Sequence, residues 1–191
     1  GHILLHFIDH FSRLSASCVI PNKKPETIIE SIFKIWIAIY GSPEKFLTDN
    51  GGEFADSQFI EMCKNLGIIL KTTAAESPWS NGLVERHNLI ISEMLHKVIL
   101  DSHVNLELAL SWCLNANKSL CNIHGFSPFQ LVLGTNPKLP SAFNDQLPAL
   151  TNKPSNKVIS KNLQTLHKAR EAFMASENSE RIKRALSHNV R

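Results

Sequence analysis

The strongest constraint on the fold is the order in which apolar periodicity changes along the chain. Residues 2–9 (HILLHFID) and 13–21 (RLSASCVIP) are apolar runs of strand length, and residues 9–13 between them suit a hairpin turn. The period then lengthens. Residues 24–41 (KPETIIESIFKIWIAIYG) put Ile28, Ile32, Trp36 and Ile39 on one helical stripe, with Pro25 suited to a first turn and Gly41 to a helix end. A strand over 44–49 (EKFLTD), expected to be buried on both faces, a helix over 55–67 stopped by Gly67, and a strand over 68–73 (IILKTT) follow. Two hairpin strands and then alternating helices and strands predict an α/β fold, a mixed sheet flanked by helices.

Beyond residue 73 the pattern is helical. Residues 74–82 (AAESPWSNG) read as a loop, and Ser80 or Asn81 as the cap of a long helix over 83–100. A second helix is expected over 104–120, and a short one with Ser127 as cap and Pro128 in its first turn. Residues 135–157 contain Pro137, Pro140, Pro148 and Pro154 and read as a linker. Residues 158–188 form a last, basic helix whose stripe of Leu163, Leu166, Ala169 and Phe173 suits a partner chain, so little contact with the core is expected. The expected organisation is a core over 1–140, a linker over 141–157 and a basic helical extension over 158–191.

No apolar run reaches the roughly 18 residues of a membrane span, and the run Ile3–Ile8 is too short for a signal-peptide core. The expected location is nuclear or cytoplasmic, with no membrane partner. Cys18, Cys63, Cys113 and Cys121 include no Cys-x-x-Cys pair and read as buried thiols of a reducing compartment. Charge is uneven: residues 151–191 carry nine basic against three acidic side chains, a balance of +6, whereas residues 1–150 carry 11 against 14. A basic tail is compatible with nucleic acid, as it is with an ordinary solvated helix face.

The chemistry-bearing candidates are two carboxylates. Asp49 ends the run FLTD and is followed at once by Asn50, Gly51 and Gly52; Glu85 lies in the first turn of the expected long helix, with 35 residues between them. Each has a structural explanation: Asp before Asn-Gly-Gly is a turn signal, and Glu early in a helix complements its dipole. Functional groups also gather at the carboxyl ends of strands in open α/β sheets. The intervening helix, strand and loop can return the chain to the same edge. Two acids held close repel unless a cation lies between them, and hard oxygen ligands suit Mg²⁺ or Mn²⁺.

The segments TDNGGEF (48–54) and SPWSNGLVERHN (77–88) at this spacing resemble the integrase catalytic core of retroviruses and of LTR retrotransposons, most of all the gypsy-like group. FIDHFSRLSASCVIP (7–21) and HGFSPFQLVLGTNPKLP (124–140) extend the resemblance over roughly residues 1–140. It implies a ribonuclease H-like fold and a catalytic, metal-binding triad of two Asp and one Glu. Asp49 takes the place of the second aspartate, Glu85 that of the glutamate, and Asn88 that of a polar neighbour of the site. It also implies DNA as partner, metal-dependent polynucleotidyl transfer for DNA integration, and homo-oligomers.

In that alignment residues 2–13 match the family's second strand, so its opening strand, which carries the first aspartate, is expected before Gly1. Asp9 is then structural, pairing with Arg13 or capping the turn, and the chain as it stands is expected to be inactive. Basic residues that retroviral members carry on the glutamate's helix give way here to Leu89 and Ser92; Arg86 and Lys97 are left as candidate phosphate partners or solvated side chains. A non-enzymatic nucleic-acid-binding module derived from a transposon is the alternative, and a ribonuclease H a weaker one.

Overall fold

The computed structural model describes residues 2–49, 51–72, 78–121, 123, 125–137 and 157–188, with backbone alone for 78–81 and 184–188. The expected linker over 141–157 therefore lies outside the described residues, apart from Lys157, which already begins a helix. Contacts divide the chain into two compact units: residues 1–8 with 15–88, and residues 9–14 with 89–191.

In the first unit, β1 (Ile3–Ile8) and β2 (Ser15–Ile20) pair antiparallel from Ile3 opposite Ile20 to Ile8 opposite Ser15. β3 (Lys45–Thr48) and β4 (Ile69–Thr72) pair in parallel, from Lys45 beside Ile69 to Thr48 beside Thr72. The expected single mixed sheet is thus two separate two-stranded ladders among the described residues. β3 is not buried on both faces either. It has one strand neighbour and alternates, with Phe46 buried and Leu47 43% exposed.

α1 (Pro25–Ile32) starts at proline, as its fixed φ favours, and buries Ile28 and Ile32. It continues through a π-helical turn, Phe33–Ile37, into the short α2 (Ala38–Tyr40). That turn holds more residues than an α-turn and rotates the apolar stripe, so Ile39 ends 63% exposed rather than on the buried face. α3 (Ser57–Asn65) is capped by Asp56, whose carboxylate accepts from the Gln58 amide at 2.8 Å. It stops where Gly67 takes φ +68°, letting the Ile68 amide reach the Cys63 carbonyl at 2.8 Å. Leu5, Ile20, Ile28, Ile32, Phe46, Phe59, Met62, Cys63 and Ile68 form one core, so both ladders and both helices share it.

α4 (Pro78–Ser102) begins five residues before the expected start, which displaces Ser80 and Asn81 from the role of cap into the first turn. The reason is local: Pro78 presets φ for a first turn, as Pro25 does.

The second unit contains the turn 9–14, most of α4, α5 (Leu106–Leu120), α6 (Pro128–Leu133) and α7 (Lys157–His188). Ser127 and Gln130 close a capping box at the head of α6, with Pro128 next, as the sequence predicts. α7 corrects an expectation. It packs along α5, and Leu166, Ala169, Ala172 and Phe173 are all buried. The Trp112 indole N–H donates to Asn162 Oδ1 at 3.2 Å, and Ser176 Oγ donates to Glu93 at 3.2 Å. The stripe read as suited to a partner chain is satisfied within the chain, because α5 offers it small buried side chains such as Ala109, Cys113 and Ala116.

Candidate functional site

Asp49 lies one residue past the end of β3 and is exposed. Its Oδ1 accepts from the Gly51 amide at 3.2 Å, and no described residue bonds Oδ2. The Gly51 carbonyl in turn accepts from the Phe54 and Ala55 amides at 3.0 and 3.3 Å, closing the loop into α3. A Cβ on Gly51 would stand 2.8 Å from Glu53 Oε2 and 3.1 Å from Asp49 Oδ1. Two carboxylates therefore crowd the space that only glycine leaves open. Glu53 Oε1 lies 3.6 Å from Lys23 Nζ. Nearby, Gln58 in the first turn of α3 donates to Glu26 in the first turn of α1 at 3.3 Å.

Glu85 is exposed on α4, in its second turn rather than its first, and Asn88 is exposed one turn later. Neither Asp49 nor Glu85 forms an ion pair with a described residue. His87 faces inward and stacks on His6 of β1 with ring centroids 4.8 Å apart and planes at 22°. Burial, and secondarily the His87 charge, lower the His6 pKa to about 3, so this imidazole stays neutral. The stack fastens the first part of α4 to β1. Arg86 and Lys97 are exposed.

Asp9 has a different role. Its Oδ2 accepts from both the amide and the hydroxyl of Ser12 at 2.6 Å, while its own amide donates to the Leu14 carbonyl at 2.8 Å. It caps the turn through Ser12; Arg13, with φ +59°, supplies the backbone bend. Among the described residues no group of three His, Cys, Asp or Glu side chains gathers around a common point. Asp49 and Glu85 each expose carboxylate oxygens, the donor type that a hard divalent cation takes, and Asp49 presents an oxygen with no hydrogen bond from a described residue. The four cysteines are free, with Cys63 and Cys113 buried and burial raising the Cys113 pKa to about 12. No described helix is long and apolar enough to cross a membrane.

Sequence reasoning passed over Lys23, Glu53, His6 and His87. Glu53 stands inside the quoted TDNGGEF segment, but its partner Lys23 is 30 positions away in an exposed loop, where no periodicity announces a contact.

A family model described as TnsB C-terminal domain matches residues 31–99. The Pol polyprotein from the Drosophila melanogaster transposon 412 is 31% identical over 128 residues, 65% of this chain and 10% of that protein. The Gag-Pro-Pol polyprotein of Human T-cell leukemia virus 2 is 35% identical over 164 residues, 77% of this chain and 11% of that protein. Among solved structures, the HTLV-2 integrase catalytic core domain in complex with magnesium superposes with a TM-score of 0.60 at 27% identity, covering 69% of this chain and 84% of that one. The BIV integrase catalytic core domain gives 0.60 at 26%, covering 70% and 86%.

An α/β chain with a carboxylate at a strand end and another on the following long helix is thus a relative of integrase catalytic cores. Its kin are the Pol polyproteins of retroviruses and retrotransposons. The chain spans about a tenth of the length of the curated relatives it matches.

Proposed function

We propose that this chain forms most of a ribonuclease H-like integrase catalytic domain for metal-dependent polynucleotidyl transfer on DNA, with Asp49 and Glu85 as catalytic, metal-holding carboxylates. The observation that carries the proposal is Asp49 itself, exposed just past the end of β3 with one oxygen left unbonded by described residues. The magnesium in the HTLV-2 neighbour supports Mg²⁺ or Mn²⁺ as the cation. When bound between carboxylates, such ions activate a water or 3′-hydroxyl and stabilise the leaving oxygen of a phosphodiester. The residues contribute charge and placement: Asp49 is held at its loop by the Gly51 amide, and Glu85 is carried on a helix fixed to β1 by the His6–His87 stack.

The first aspartate, in this reading, comes from a strand outside residues 1–191. The support is the open edge on each ladder. β1 has a ladder with β2 alone and β3 with β4 alone among the described residues, yet both ladders bury side chains in one core and Phe7 meets Phe46 at 6.2 Å between ring centroids. A strand pairing β1 and β3 would make the single mixed sheet. In this reading Asp49 and Glu85 need that third carboxylate for turnover. DNA and copies of the same chain are the proposed partners; the neighbours described as dimeric, trimeric and an intasome support both. The core is proposed to run over residues 1–140, with 158–191 as a basic extension.

The test compares the chain with a form extended upstream through an acidic strand, using Mg²⁺ or Mn²⁺ and a DNA end. The extended form should nick or join DNA, and Asp49→Asn or Glu85→Gln should abolish this. Joining by residues 1–191 unaided would show that another acid completes the site. An extended form that binds DNA without cutting it would replace this reading by the non-enzymatic one.

A further inference from the structure

We propose that Lys23 and Glu53 form a latch that sets the orientation of the Asp49 carboxylate, making them positioning residues for the divalent ion. The inference rests on the reading of Asp49 as a ligand.

Three contacts carry it. Glu53 Oε2 and Asp49 Oδ1 both border the vacant Cβ position of Gly51, at 2.8 and 3.1 Å, so the two carboxylates share one small space. Two like charges that border one small space repel. Lys23, at 3.6 Å from Glu53 Oε1, compensates the second charge and draws it toward α1 rather than toward the ion. The Glu53 side chain is only 19% exposed, and Lys23 follows Asn22, whose Oδ1 accepts from the Lys24 amide at 3.0 Å and the Thr27 hydroxyl at 2.9 Å. The anchor of the latch is therefore a built turn at the head of α1. Beside it, Gln58 at the start of α3 donates to Glu26 of α1. With Glu53 held, Asp49 Oδ1 stays on the Gly51 amide and Oδ2 is the oxygen left to face a cation.

A latch and a bare charge effect predict different signs. If only net charge mattered, Glu53→Gln would weaken cation binding and Lys23→Met would strengthen it. If the pair orients Asp49, both substitutions release the loop and both weaken binding. Partners that orient a ligand without touching the metal typically change metal affinity by 10–100-fold, so an exposed pair should give about tenfold.

The experiment titrates Mn²⁺ alone into the full 191-residue chain and reads bound metal by electron paramagnetic resonance. The variants are Asp49→Asn, Glu53→Gln, Lys23→Met and Lys23→Arg, with circular dichroism melts as a check on folding. The expected result is loss of binding in Asp49→Asn, a dissociation constant raised about tenfold in both Glu53→Gln and Lys23→Met, recovery in Lys23→Arg, and melting unchanged in all four. Opposite shifts in Glu53→Gln and Lys23→Met, or no shift in either while Asp49→Asn still loses binding, would overturn the latch alone. Unchanged binding in Asp49→Asn would overturn Asp49 as a ligand, and the latch with it.

Discussion

Two aspartates stand directly after strands in this molecule, and their surroundings differ. Asp9, after β1, takes two 2.6 Å hydrogen bonds from Ser12 and is half-buried. Asp49, after β3, takes a single 3.2 Å bond among the described residues, from Gly51, and is exposed. A carboxylate whose oxygen is already bonded to a buried serine is occupied by the fold. One with a long bond and an exposed face can still take a ligand. Residue type and place after a strand are shared, so the loop alone separates a structural aspartate from a candidate ligand. Ser12 fills the turn in one case; Gly51 leaves room in the other.

The two aspartates should differ most in chemistry. In the upstream-extended form, Asp49→Asn should reduce DNA joining below detection, whereas Asp9→Asn, which keeps an oxygen to accept from Ser12, should leave it intact. Loss of joining in both would erase the distinction.

Stability sharpens it next. Phe173→Ala, far from either aspartate in sequence, should cost about 3–5 kcal/mol in denaturant unfolding, because a buried aromatic is removed from the α5–α7 contact. A cost below about 1 kcal/mol would mean that α7 is held as loosely as its polar composition suggests.

Asp9→Ala should cost about 2–3 kcal/mol, since it leaves the amide and hydroxyl of the buried Ser12 without their acceptor. Asp49→Ala, losing one exposed bond, should stay within about 0.5 kcal/mol. Equal costs would show that the fold leans on the Asp49 loop no less than on the Asp9 turn.

A further effect concerns His6, which stacks on His87 near the start of α4. Its folded pKa of about 3 lies below the ordinary value of 6.5, so the unfolded chain binds the proton first. This contribution to stability is complete above pH 6.5 and is lost as pH falls toward 3, by up to about 1.4 kcal/mol per pH unit. Equilibrium unfolding at about pH 7 and about pH 5, on either side of the ordinary histidine value, should show the loss, and His6→Phe should flatten it. A slope unchanged by His6→Phe would remove the stack as its source.

Most elements were legible in the sequence because their signals are local. Pro25, Gly67, Ser127 and Pro128 act within a turn of themselves, and all four do in the structure what the sequence predicts. Asp49 and Glu85 stand out in the sequence as residue types at a spacing, and of the two roles expected for Asp9, pairing with Arg13 or capping its turn, its bonds to Ser12 match the second. The π-helical turn that brings Ile39 to the surface was not legible, since one changed hydrogen-bond step shifts every later residue without altering composition. The burial of α7 was missed for another reason: one modest stripe does not say which surface receives it. Lys23 and Glu53 meet only because the start of α1 and the loop after β3 come together in three dimensions.

The central claim is that Asp49, unlike Asp9, is free to hold a cation. A Mn²⁺ titration of Asp49→Asn and Asp9→Asn side by side, with bound metal counted by electron paramagnetic resonance, tests it most directly. Binding should be lost in Asp49→Asn and unchanged in Asp9→Asn; loss in Asp9→Asn with Asp49→Asn unaffected would contradict the account.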